Sequence, residues 1–166
     1  MQLKLVAAGL ALSFGCEGRK LADDLLVSVA DQGEVLVVNL ECEPCMPSVR
    51  VGMHFDPNAY LTDDDEIVIE QFRIDYDLAG VSRTVPYFAG VLQQSVRPMD
   101  DASFVVQVIG TAQRAHLLEV SPDDDVHGRA TLTFAGYDSD DQQAIVETEL
   151  AIRFAHSAVS DTGTAP

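Results

Sequence analysis

Two cysteines three positions apart, in Cys42-Glu43-Pro44-Cys45, are the residues whose type and spacing bear most directly on chemistry. A thiol pair at this spacing can exchange disulfides when a helix N-terminus lowers one thiol pKa, or it can form half of a tetrahedral zinc site. The first use needs a strand–helix–strand setting, and no helical pattern surrounds the pair. The second needs two more ligands; His54 follows, but a second cysteine pair does not. The expected state is a short structural disulfide between Cys42 and Cys45, with Pro44 shaping the loop, as an oxidising compartment favours.

Carboxylates offer the other chemistry. They cluster at Asp63-Asp64-Asp65-Glu66, at Asp123-Asp124-Asp125, and at Asp138 with Asp140 and Asp141. Calcium takes about six to eight oxygen ligands, which loops at one end of a sheet structure can pool. On that reading the ligands are Asp63, Asp64, Asp65, Asp123, Asp124, Asp125, Asp138 and Asp140. No cluster has the spaced pattern of an EF-hand loop, and Asp138-Ser139-Asp140 lacks the following glycine and distant glutamate. The competing use of such runs is as solvated loop tips that keep strand edges from pairing with other chains, and that use is favoured. Calcium is thus the alternative ligand, and no other cofactor is expected. His54, His116, His127 and His156 are scattered without metal-binding spacing, and no serine sits in a nucleophile elbow, so no catalytic residue is assigned.

The surface charge narrows the partners. A formal net charge of -17 repels nucleic acid and anionic lipid head groups, which excludes both as direct partners of the folded domain. At 47% hydrophobic residues the chain is nonetheless globular in composition.

The elements that would position these groups read as strands. Val146, Thr148, Leu150, Ile152 and Phe154 share one parity, with Glu147, Glu149 and Arg153 on the other. Ala130, Leu132 and Phe134 alternate in the same way, and the polar turn from Asp138 to Gln143 joins the two runs into a hairpin. Between Glu66 and Leu78 the apolar parity switches from Ile67 and Ile69 to Phe72, Ile74, Tyr76 and Leu78. Such a switch requires a bulge near Glu70–Gln71. Leu25 to Val29, Glu34 to Leu40, Val91 to Val96 and Ser103 to Ile109 are further strands. The continuous run Val35 to Val38 is expected in a central one. Gln113 to Val120 fits either a strand or a short helical turn. About seven short strands in one domain predict an all-β fold, an antiparallel β-sandwich of immunoglobulin or fibronectin III type, with a barrel as the alternative.

Ahead of this domain stands a different kind of segment. Lys4 precedes an apolar run from Leu5 to Phe14, about ten residues long, which suits a signal peptide and is too short to span a bilayer. Gly15 then precedes Cys16, and the chain turns polar at Glu17. The expected organisation is a signal peptide over residues 1–15, a linker lipidated at Cys16 over 16–22, the β-domain over 23–156, and a disordered tail over 157–166. Ser13 stands where the lipoprotein signal usually has leucine, so plain secretion is the alternative.

The stretches EIVIEQFRIDYDLAG and RATLTFAGYD, followed by AIVETELAIRFA, resemble a group of bacterial lipoproteins with one immunoglobulin-like sandwich behind an acylated cysteine. Tyr76, Pro86, Phe134, Gly136 and Asp138 carry the resemblance. It implies a fold and an address in the cell envelope; Glu17 after the cysteine points to the outer membrane. It implies no activity. The expected function is non-enzymatic: a lipid-anchored envelope protein, membrane-bound through its acyl chains, whose domain contacts another envelope protein or supports structure. The alternative is a calcium-dependent adhesion or carbohydrate-binding module that takes a glycan.

Overall fold

The computed structural model describes residues 20–29, 35–42, 45–121 and 124–156. Cys16, the leader, the 157–166 tail and Asp123 lie outside the described residues. The chain forms a 3-10 turn at Leu21–Asp24 and then strands β1 (Leu25–Val29), β2 (Leu36–Asn39), β3 (Ser48–Phe55), β4 (Ile67–Ala79), β5 (Phe88–Val96) and β6 (Ala102–Gln107). Helix α1 (Thr111–Val120) follows, and then the long strands β7 (Val126–Asp138) and β8 (Gln143–Ala155). The fold is all-β apart from these short helical pieces.

The strands make two sheets. One has the order β1-β3-β6, the other β2-β8-β7-β4-β5. Alternation explains the shared core. Val49, Val51, Met53 and Phe55 of β3 are buried, as are Ala130, Leu132 and Phe134 of β7 and Leu150, Ile152 and Phe154 of β8. Phe104 of β6 meets Phe134 of β7 edge to face, centroids 5.8 Å apart, so the rings join the two sheets. Tyr76 packs edge-on against Phe154 at 6.1 Å, and its hydroxyl donates to the Val108 carbonyl at 2.7 Å. Burial raises the Tyr76 pKa above its ordinary value, with the nearby Asp75 carboxylate adding to the effect.

The β7–β8 hairpin runs in register from Val126↔Phe154 to Tyr137↔Gln143. Its turn is held by the Asp138 carboxylate, which accepts from the Asp140 and Gln142 amides at 3.0 and 2.8 Å. In β4 the register shifts between Ile69 and Gln71, at the expected bulge, so that Ile67, Ile69, Phe72 and Ile74 all face the core.

Three expectations need correction, and the open choice at residues 113–120 falls to the helix. Among the described residues there are eight strands rather than about seven, the additional one being β3; its alternation is plain, but Arg50, Gly52 and His54 between two prolines give it a loop-like composition. Residues 113–120 belong to helix α1, which buries Gln113 and Leu117 one turn apart on a single stripe. The five-stranded sheet is mixed, because β2 runs parallel to β8, pairing Leu36 with Ile152 and Asn39 with Ala155. Finally, β2 is terminal in its sheet, not central. Its apolar run buries only one side, with Val38 in the core while Val35 and Val37 are 50% and 45% exposed.

Candidate functional site

Strand β7 sets the distance between the acidic clusters. Asp124 and Asp125 lie just before its first residue, and Asp138 is its last. Thirteen extended residues separate these ends by roughly 40 Å at about 3.3 Å per residue. The Asp63–Asp65 run leads into β4, whose Ile67 pairs with Asp138, so these two groups share one end of the molecule. Cys42 and Cys45 follow β2, whose Asn39 pairs with Ala155, and Val126 pairs with Phe154. The cysteines therefore share the opposite end with Asp124 and Asp125.

At the cysteine end a disulfide joins Cys42 and Cys45, with Cα atoms 5.3 Å apart. The Cys45 amide donates to the Cys42 carbonyl at 3.1 Å. The Arg114 guanidinium of α1 donates to that carbonyl and to the Cys45 carbonyl, the latter at 2.6 Å. On the same helix the Gln113 amide donates to the Tyr87 carbonyl at 2.7 Å. Helix α1 thus ties the disulfide loop to the start of β5. Asp125 pairs with Arg153 of β8 and accepts from the His156 amide at 3.3 Å. The hydrogen bond from Arg153, aided by that amide, holds the Asp125 carboxyl below the usual carboxylate range. His156 is buried and His116 half-buried, and neither Nε2 has a hydrogen-bond partner; His127 is exposed.

At the other end the carboxylates are also committed locally. Asp65 accepts from the Thr62 amide at 2.6 Å, Asp138 caps its own turn, and Asp63, Asp64 and Asp140 are exposed. The seven described residues among the calcium candidates are therefore spread over both ends, and several of their oxygens already accept from the chain. Among the described residues no three His, Cys, Asp or Glu side chains gather as a metal-ligand set. A cavity of about 440 Å³ does open at this end, beside the turn joining β5 to β6. Its lining includes His54, Asp56, Asp63, Met99, Asp100 and Asp101, and no lysine or arginine.

The four terminal strands form a further feature. Strands β1 and β6 end one sheet, β2 and β5 the other. Their sequences, LLVSV, ASFVVQ, LVVN and FAGVLQQSV, contain no charged residue. Every inner strand contains at least one: Arg50 in β3, Glu70 and Arg73 in β4, Arg129 in β7, Glu147 and Arg153 in β8. Large apolar side chains stand exposed on the terminal strands, Val91 of β5 at 88% and Val105 of β6 at 57%. The lack of charge was legible in the sequence; that these particular strands end the sheets was not. Arg114 had no sequence signal, being an isolated arginine about 70 residues from the cysteines it holds.

Among the described residues no helix is long and apolar enough to cross a membrane. No family model and no curated protein matches the chain.

Proposed function

We propose that this is a non-enzymatic cell-envelope lipoprotein, anchored through acyl chains on Cys16, whose immunoglobulin- or fibronectin III-like β-sandwich makes contact with another protein. The observation that carries the reading is the uncharged set of terminal strands. A sheet edge presents unpaired N–H and C=O groups, and proteins that must stay apart usually cover or charge it. Here a chain of net charge -17 leaves all four edges free of charged side chains, which favours their use as contact surfaces. The leader ending at Gly15-Cys16 supports the address, and Glu17 favours the outer membrane. Two acyl chains suffice for stable attachment, whereas one binds only marginally.

Two measurements on the full chain test the halves of this reading. Cys16→Ser should move the protein from the membrane to the soluble fraction and abolish labelling by a palmitate analogue; an unlabelled wild-type chain refutes the anchor. A photo-crosslinking residue placed in turn at Val37, Val91 and Val105 should give a discrete protein adduct in intact cells from at least one site. No adduct from any of the three refutes the contact.

A further inference from the structure

We propose that the open side of β5 is a binding site for an extended peptide segment, added as a further antiparallel strand, apolar along its length and carrying lysine or arginine at its N-terminal end. This deepens the protein-contact reading above and rests on it. Strand β5 is the longest of the terminal strands, and β4 pairs only one of its sides, from Ile67↔Val96 to Ile74↔Phe88. Nine residues without charge or proline give a template about 30 Å long at the usual strand rise, interrupted at Leu92–Gln93, where the register against β4 shifts between Gln94 and Val91. Exposed and half-buried residues alternate from Phe88 to Ser95, so one face of β5 lies toward the core and the other toward solvent. Backbone pairing along such an edge supplies affinity, and the alternate side chains supply specificity.

Charge selects the occupant. The C-terminal end of β5 leads into the Arg97–Asp101 turn and the carboxylate-lined cavity, where Asp56, Asp63, Asp100 and Asp101 meet no lysine or arginine in the lining. An antiparallel partner strand begins at that end, so its first residues are the ones that reach the cavity. A cation there meets unneutralised carboxylates. A second copy of this chain is disfavoured on the same grounds. Antiparallel β5-to-β5 pairing would bring the β4–β5 end of the other copy to the cavity. There Arg73 is already paired with Asp75 at 2.6 Å, and Arg83 with Glu119 at 3.3 Å. Each copy also carries a net charge of -17.

The test uses the full chain in detergent and a fluorescent ten-residue peptide of alternating valine and threonine with two lysines at its N-terminal end. Fluorescence anisotropy should show saturable binding. Binding should weaken at least tenfold when the alternate set of peptide amides facing β5 is N-methylated, since those amides can no longer pair, and should persist when the other alternate set is N-methylated. Val91→Lys should weaken it at least tenfold with an unchanged melting temperature. Asp100→Asn with Asp101→Asn should weaken the lysine peptide several-fold, yet leave a peptide with glutamines in place of lysines unaffected. Moving the lysines to the C-terminal end should remove their contribution. Absence of saturable binding overturns the proposal, as does binding indifferent to N-methylation or to lysine position. An in-cell adduct at Val37 or Val105 together with no peptide binding would sink this site alone and leave the broader contact reading standing.

Discussion

Strands β5 and β7 lie on the two sides of β4, and they treat charge in opposite ways. Strand β7 is paired along nearly its whole length by both β4 and β8. Its solvent face carries polar and charged side chains that bond across to β8: Arg129 to Glu149 at 3.2 Å, and Thr133 to Glu147 at 3.0 Å. Glycine lets it come close, because a Cβ at Gly136 would run into the Val68 carbonyl of β4. Strand β5 is paired on one side only and carries no charge at all. The usual economy of sheets puts charge on edges to keep strangers off. Here charge sits on strands that no stranger can reach, where it fixes partner and register through cross-strand pairs. The difference separates strands that build the fold from strands left available.

The largest test of that separation is a matched pair of truncations. Phe134→Ala removes a fully buried ring that packs against Phe104 of the other sheet, and should cost about 3–5 kcal/mol. Leu92→Ala, on half-buried β5, should cost about 1–2 kcal/mol. Urea melts give both values. Equal losses would mean that β5 is as much a part of the core as β7, and the contrast between them would fail.

How much of this was visible in the sequence follows the same line. The β7–β8 hairpin was legible because strict alternation around Phe134 and Phe154 is a local signal, and its turn residues are local too. The bulge was legible because parity switches between Ile69 and Phe72. Strand β2 was misplaced because Val35 to Val38 is apolar whichever side is covered, and its parallel partner β8 is over a hundred residues away. Helix α1 stayed ambiguous because burying only Gln113 and Leu117 leaves almost no periodic signal. The grouping of acidic clusters was illegible for a reason of length: only a continuous β7 shows that Asp125 and Asp138 stand at opposite ends. Local pattern gives strands; which strand ends a sheet is decided by long-range pairing.

A smaller effect sharpens the contrast among the tyrosines. Tyr76→Phe removes the bond to the Val108 carbonyl that ties inner β4 to the segment after β6, and should cost about 0.5–1.5 kcal/mol. Tyr87→Phe, exposed at the start of β5, should leave the melting midpoint unchanged, because Arg73 stacks on its ring and not on its hydroxyl. A loss at Tyr87 as large as at Tyr76 would show that the β5 approach is more tightly held than its exposure implies.

The smallest effect is a pH-dependent one that sets an inner-strand carboxylate partner against an edge-strand one. Asp125 is held below its ordinary pKa first by the hydrogen bond from Arg153 of β8. Glu66 is likewise held low, first by the hydroxyl of Ser95 on β5 and then by Arg97. A carboxyl whose folded pKa is depressed adds stability above its unfolded value, near 3.9 for Asp and about 4.3 for Glu, and loses it as pH falls through the lower folded value. Both contributions are therefore complete at neutral pH and disappear below about pH 4. Arg153→Gln and Ser95→Ala should each flatten the acid limb of a stability-against-pH curve measured by urea melts. They should part company in salt. At about 1 M salt the screening length is about 3 Å, so the charge part of the Arg153 contribution shrinks, while the hydroxyl bond of Ser95 carries no charge to screen. The Arg153→Gln difference should therefore narrow in salt and the Ser95→Ala difference should persist. If both narrow equally, the β5 link depends on Arg97 and its charge rather than on Ser95. The edge strand would then lean on a charge just beyond its end, and its neutrality would be less complete than its sequence makes it.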